Sequence, residues 1–146
     1  MKNRISITIL LFLITGLLYG CSSDPEPINY GSDVCAHCNM KIMDNRFGAE
    51  LLNTKSKAYK FDAAECMVDY IKKNKLDIKE MYVTDFNNPG VFITARNSYF
   101  LISPKRRSPM GEDLSAYKTK TDAETAKQSV GGEIYSWDEL KTQIGK

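Results

Sequence analysis

The order of elements written into residues 47–137 constrains the fold more than any other feature: a hairpin, a capped amphipathic helix and a returning strand, met twice. "FGAELLN" (Phe47 to Asn53) and "KAYKF" (Lys57 to Phe61) read as two short strands. In the second, Lys57, Tyr59 and Phe61 alternate with Ala58 and Lys60, the period of a pleated strand. "DAAECMVDYIKKN" follows as a helix. Asp62 stands at its cap with Glu65 three residues on, and Ala64, Met67, Val68 and Ile71 share one face. Lys72 and Lys73 suit the negative end of the helix dipole. "MYVTDF" (Met81 to Phe86) reads as the returning strand.

The second half repeats the plan. "VFIT" and "YFLI" flank "ARNS" as an expected hairpin. A helix starts at Thr121, with Glu124 completing a Thr-x-x-Glu box, Ala123, Ala126 and Val130 on its inner face, and Gly131–Gly132 at its end. "EIYSW" returns as a strand. The expected class is α+β, two small β-β-α-β units packed together, with halves at about 35–86 and 87–146. Between hairpin and helix of the second half, "SPKRRSPMGEDLSAYKTK" (Ser103 to Lys120) shows little sign of regular structure. A loop that long is usually functional or disordered. Its centre, "PMG", leaves two readings for Met110: a sulfur with a role at a loop tip, or a side chain filling a gap in the core. Tyr30, Tyr99, Phe100, Tyr135 and Trp137 are assigned to packing, because four of the five fall in expected strands.

Residues 1–20 read as an export signal rather than as part of the domain. Lys2 and Arg4 precede the uncharged run Ile5 to Leu18, which is shorter than the ~20 residues that span a bilayer. "LYGC" places Gly20 before Cys21, the pattern of a bacterial lipoprotein signal whose cysteine is acylated and becomes the mature N-terminus. Polar "SSDPEPINYGSD" then suits a tether over residues 21–34, leaving residues 35–146 as the folded domain. The expected localisation is the cell envelope, lipid-anchored to a membrane through Cys21. Without Lys2 and Arg4, eighteen basic residues balance eighteen acidic ones. "KRR" (Lys105 to Arg107) is a small solvated cluster, so nucleic acid is set aside as a partner.

In an exported domain, "CAHCNMKIM" (Cys35 to Met43) admits four chemistries. A thioredoxin-like pair needs its Cys-x-x-Cys at a strand-to-helix junction, and here a tether precedes it with no amphipathic helix following. A closed zinc site needs four ligands, and residues 35, 37 and 38 crowd one another around a single tetrahedral ion. A disulfide staple leaves one of the three mature thiols over, and a Cys35–Cys38 bridge closes too small a loop to stabilise much. Cys66, on the helix beside Met67, reads as a small buried hydrophobe. Thiolate and thioether together select Cu(I), so Cys38-x-Met40 points to a soft-metal clasp more than a bare Cys-x-x-Cys does.

Taken in order, "C-x-x-C-x-M", "FGAEL", "YKFDAAECMVDYI", "SPMG" and "SWDEL" resemble the NosL family of copper lipoproteins over roughly residues 35–140. The resemblance implies two β-β-α-β halves, similar to a part of the organomercurial lyase. It also implies a membrane-tethered periplasmic accessory protein, not an enzyme, that binds one Cu(I) and supplies it to an apo copper enzyme, nitrous oxide reductase. By position, the family's Cys-x-Met falls on Cys38 and Met40 and its Pro-Met-Gly methionine on Met110, while Phe61–Asp62 matches a structural pair. The ion is then held between the N-terminal segment and the second-half loop. Many members carry a single cysteine in the first motif, so Cys35 and His37 stand as further metal ligands left open by the resemblance. Two rival functions also stay open: a thiol–disulfide redox lipoprotein using Cys35 and Cys38, and a copper-sequestering stress protein without a client.

Overall fold

The computed structural model describes residues 24–144. The apolar run and Cys21, read as export signal and lipidation site, lie outside them. Among the described residues no helix is long and apolar enough to cross a membrane.

Strands β1 (Ala49–Asn53) and β2 (Ala58–Phe61) form an antiparallel hairpin, with Glu50 opposite Lys60 and Leu51 opposite Tyr59. The Asn53 side-chain oxygen accepts the N–H groups of Lys55 and Lys57 and closes its turn. Helix α1 (Ala64–Lys73) follows, then β3 (Ile78–Thr84), which pairs with the other side of β1. Strand β4 (Phe92–Thr94) pairs with β3, so the first sheet has the order β2-β1-β3-β4. A single 3-10 turn (Ala95–Asn97) leads to β5 (Tyr99–Ile102), which pairs with β6 (Leu114–Tyr117) and β7 (Glu133–Ser136) in a sheet of order β6-β5-β7. Helix α2 (Lys120–Val130) connects β6 to β7, and α3 (Trp137–Gln143) follows at once.

The α+β plan of two β-β-α-β units is present, with different members in the second. "VFIT" and "YFLI" are not a hairpin: Ala95 is buried in the turn between them, and β4 and β5 belong to different sheets. "ARNS" lacks the Gly or Asn-Gly that a tight hairpin turn demands, and the chain crosses from one sheet to the other there. The true partner of β5 is β6, inside the stretch expected to be irregular. Leu114, Ser115, Ala116 and Tyr117 are all buried, so no polar alternation marks the strand. With this reassignment, β2-β1-β3 and β6-β5-β7 share one topology, and β4 and α3 are additions to it.

Helix caps also differ from expectation. At α1 the N-cap is Ala63 with no side-chain bond, because Asp62 and Glu65 are both buried and engaged elsewhere. At α2 the cap is Thr119, whose oxygen accepts the Asp122 N–H at 3.1 Å, two residues before the expected Thr121. Trp137 opens α3 rather than closing a strand. Ser136 and Glu139 make a reciprocal capping box there.

The main core lies between the sheets. Helix α1 turns Ala64, Met67 and Val68 inward, and packs on β1, β2 and β6. Ala49, Leu51, Phe61, Met81 and Val83 meet it from the first sheet; Phe100, Leu114, Ala116, Trp137 and Leu140 complete the core from the second half. Helix α2 covers the far face of the second sheet over Leu101 and Tyr117. Residues 26–34, read as tether, are docked against the first sheet. The Glu26 N–H donates to Glu50 Oε1 at 2.9 Å, Lys60 Nζ donates to the Pro27 carbonyl at 2.8 Å, and Ile28 is buried. Gly48 permits this approach: a Cβ there would lie 2.7 Å from Ile28 Cδ1 and 2.9 Å from the Tyr30 hydroxyl.

Candidate metal centre

Residues 34–41 form a tight turn closed by an antiparallel bridge between Val34 and Lys41. The Cys35 N–H donates to the Met40 carbonyl at 2.8 Å, and the Asn39 N–H returns to the Cys35 carbonyl at 3.0 Å. Asn39 takes the left-handed backbone (φ 60°) that lets the chain reverse, a conformation asparagine tolerates better than most residues. The Ala36 N–H donates to the Lys60 carbonyl at 2.9 Å, which fastens the turn to the end of β2. Asp62, in the junction between β2 and α1, accepts the Met43 N–H and so holds the far side of the segment.

This anchoring sets Cys35 and Cys38 against the first turn of α1, where Cys66 points back at them. The sulfur atoms of Cys35, Cys38 and Cys66 lie within 4.8 Å of one another. All three thiols are free, Cys35 and Cys66 buried and Cys38 half-buried. The Cys66 thiol donates to the Cys35 sulfur, and the N–H groups of Cys38, Asp62 and His37 point at the same atom. These donors pull the Cys35 thiol well below its ordinary value. The proton held towards Cys35 together with burial pushes Cys66 far up, and burial raises Cys38 against a bond from the Met40 N–H. One thiolate is thus stabilised at the positive end of α1, flanked by two thiols. The helix N-terminus that the redox reading lacked in sequence is supplied in space by α1.

Of the other expected ligands, His37 and Met40 lie in the turn itself and Met110 in the loop between β5 and β6. The His37 imidazole turns along α1, its Nε2 4.0 Å from Asp69 Oδ2, and the sulfur cluster does not include it. Met40 is 47% exposed and Met110 37% exposed. The Met110 loop is fastened to α1 where Ser108 donates to the buried Glu65 carboxylate, and burial, with the like charge of Glu112 nearby, raises that carboxyl to about 7. Glu65 directly precedes Cys66, so the loop is fixed at the same helix turn as the cluster.

Cys66 is the candidate ligand that sequence reasoning missed. Read as a buried hydrophobe, it is one of three converging thiols, because a position in the first turn of a helix can be both buried and aimed at a neighbouring loop. The unpaired count of three mature cysteines was the signal available. The chemistry of the set is plain: three sulfurs, one of them ready as thiolate, with no oxygen or imidazole among them, suit a soft ion.

The NosL family model matches residues 28–144. This chain belongs to the NosL family. The match begins inside the docked stretch before Cys35 and runs through α3, so it takes in both sheets and the whole sulfur cluster. Among solved structures, the crystal structure of the copper chaperone NosL from Shewanella denitrificans superposes with a TM-score of 0.71 at 25% identity, covering 81% of this chain and 96% of that one. No curated protein matches. The NosL fold therefore accounts for the paired β-β-α-β units. In this NosL-family chain, Cys35 and Cys66 meet the Cys38-x-Met40 motif.

Proposed function

We propose that this chain is a membrane-tethered carrier of one Cu(I), acylated at Cys21, that faces the periplasm and passes its ion to an apo copper enzyme. The single observation that carries the reading is the convergence of the Cys35, Cys38 and Cys66 sulfurs within 4.8 Å, next to loops bearing exposed Met40 and Met110. The solved relative is itself a copper chaperone, which supports copper over other soft ions. Cys38, a thiol in the free protein, loses its proton on binding and then neutralises the ion as thiolate. Met40 and Met110 supply weak, exchangeable thioether bonds at the surface from which copper leaves. Nitrous oxide reductase is the recipient this reading names, on the strength of the family resemblance.

Stable attachment to a bilayer takes more than one acyl chain, which an N-terminal diacylated cysteine provides. Only a few residues separate Cys21 from the docked stretch that starts at Glu26. Thiol–disulfide exchange is the rival that one observation favours, the depressed Cys35 thiol at the α1 N-terminus. Against it, Cys35 is fully buried and cannot meet a protein disulfide.

The test is titration of the reduced mature chain with Cu(I) against a competing chelator. One ion should bind, and Cys38→Ser should weaken it by at least about tenfold, or ~1.4 kcal/mol. The loaded protein should then activate apo nitrous oxide reductase faster than an equal amount of chelated Cu(I). Wild-type affinity in Cys38→Ser would overturn the copper reading, and no gain in activation would overturn the recipient.

A further inference from the structure

We infer that the hollow at the β4 edge of the first sheet is laid against the membrane, on the phospholipid headgroups of the leaflet that holds the acylated Cys21. The inference rests on the lipid anchor proposed above and adds which way the domain faces on it.

Two observations carry it. The first is reach. Pro25 forms one wall of a hollow of about 390 Å³, together with Tyr82, Phe92, Ile93, Asn97 and Lys118. The next residues cannot lift away from the sheet, because the Glu26 N–H is bonded to Glu50 and the Pro27 carbonyl to Lys60. The chain from Cys21 to Pro25, even fully extended, spans no more than about 14 Å. Acyl chains on Cys21 therefore enter a bilayer within that distance of the hollow. The second is chemistry. The half-buried Tyr82 and Phe92 rings meet there at 6.1 Å, and Ile93 lies beside them. Val91, 54% exposed, continues the apolar surface ahead of β4. The exposed Asn97 amide and Lys118 amine supply polar groups in the same hollow. Aromatic rings beside apolar side chains, with a cation on a long stem to meet phosphate, suit the headgroup layer, which is apolar on one side and wet on the other.

This orientation has a consequence for the candidate metal centre. The sheet order β2-β1-β3-β4 puts β4 and β2 at opposite edges, about 14 Å apart at ordinary strand spacing. The turn of Cys35 and Cys38 is fastened to β2, where the Ala36 N–H donates to the Lys60 carbonyl at 2.9 Å. Residues 26–34 thus cross the sheet from the lipid edge to the sulfur edge and hold the two apart. With β4 on the headgroups, the sulfur turn faces away from the bilayer and stays open to a soluble partner. With β2 on them, the membrane would cover it.

The experiment uses the full acylated chain in vesicles of phosphatidylethanolamine and phosphatidylglycerol. A phosphatidylcholine with a nitroxide on its headgroup is added as a short-range quencher of tryptophan. Tryptophan is placed at exposed positions of the two edges: Val91→Trp and Asn97→Trp beside β4, and Lys57→Trp beside β2. Native Trp137, 3% exposed, gives the background. Val91→Trp and Asn97→Trp should each lose most of the fluorescence they add, whereas Lys57→Trp should keep its own. Near-ultraviolet circular dichroism establishes that each variant is folded, and two positions at β4 keep the test intact if one is not. Equal quenching at both edges, or quenching of Lys57→Trp alone, overturns the inference while the anchor stands. Quenching at β4 that fades as more protein is loaded per vesicle would mean that a second copy covers this face, and overturns it too. If the wild-type chain carries no acyl group and floats free of the vesicles, anchor and orientation fail together.

Discussion

Glu50 enters the middle of β1 between apolar neighbours, and the docked N-terminal segment buries it completely. One carboxylate oxygen accepts the Glu26 N–H, while the other has no hydrogen-bond partner. Burial raises this carboxyl from its ordinary 4.5 to about 7. The sign for stability follows. Between those values the folded chain keeps a proton that the unfolded chain has lost, so stability falls as pH rises from about 4.5 through about 7 and levels off above. Glu65, raised by burial to the same value, adds a slope in the same direction. Glu50→Gln keeps an acceptor for Glu26 and removes the ionisation. It should leave stability nearly unchanged at pH 4 and raise it at pH 8 by about 1–3 kcal/mol. Urea unfolding at the two pH values is the measurement, and an equal effect at both would show that Glu50 does not titrate on unfolding.

At the scale of elements, helix ends decide more than helix interiors. Helix α3 has only seven residues and is far below the length at which a helix persists alone. Its start is held by the Ser136–Glu139 box, in which the Glu139 carboxylate accepts the Ser136 N–H at 2.8 Å, and its inner face by buried Trp137 and Leu140. Ser136→Ala should cost about 1 kcal/mol in urea unfolding, and a change near zero would mean that packing alone holds the helix. The same box was legible in "SWDEL" but was passed over, because strand-like "EIY" ran into it without a break. The first hairpin and α1 were legible, since Tyr59, Phe61, Met67 and Val68 sit on half-buried elements that keep their periods. Strand β6 was not, because burial on both faces erases the alternation. Asp62 misled for a related reason: a carboxylate before a helix looks like a cap, yet burial turned it to the Met43 N–H. In the candidate centre, the Cys35–Cys38 pair was visible as a motif. Cys66 was not, because its distance of 28 residues from Cys38 acquires meaning only once α1 is docked on the turn.

For the whole molecule, the main core is common to both halves. Helix α1 touches β1 and β2 on one side and β6 on the other, and Trp137 of α3 packs in the same cluster, 5.7 Å from Phe100. The Phe86 N–H donates to the Ala116 carbonyl at 2.8 Å, so the backbones of the two halves are also joined. A chain built this way should unfold in one step, and a ligand bound at one place should stabilise all of it. Copper bound at the sulfur cluster would tie residues 35 and 38 to α1. At a free concentration a thousand times its dissociation constant it adds about 4 kcal/mol by linkage, worth on the order of ten degrees in midpoint for a domain of this size. Trp137, the only tryptophan, lies in the last helix of the second half and outside the cluster, which makes it an independent witness. With Cu(I) bound, its fluorescence transition should move upward together with the far-ultraviolet signal, and Cys38→Ser should abolish the larger part of the shift. A Trp137 transition that stays in place while the far-ultraviolet one moves would mean that the two halves melt separately, and that the shared core does not couple them.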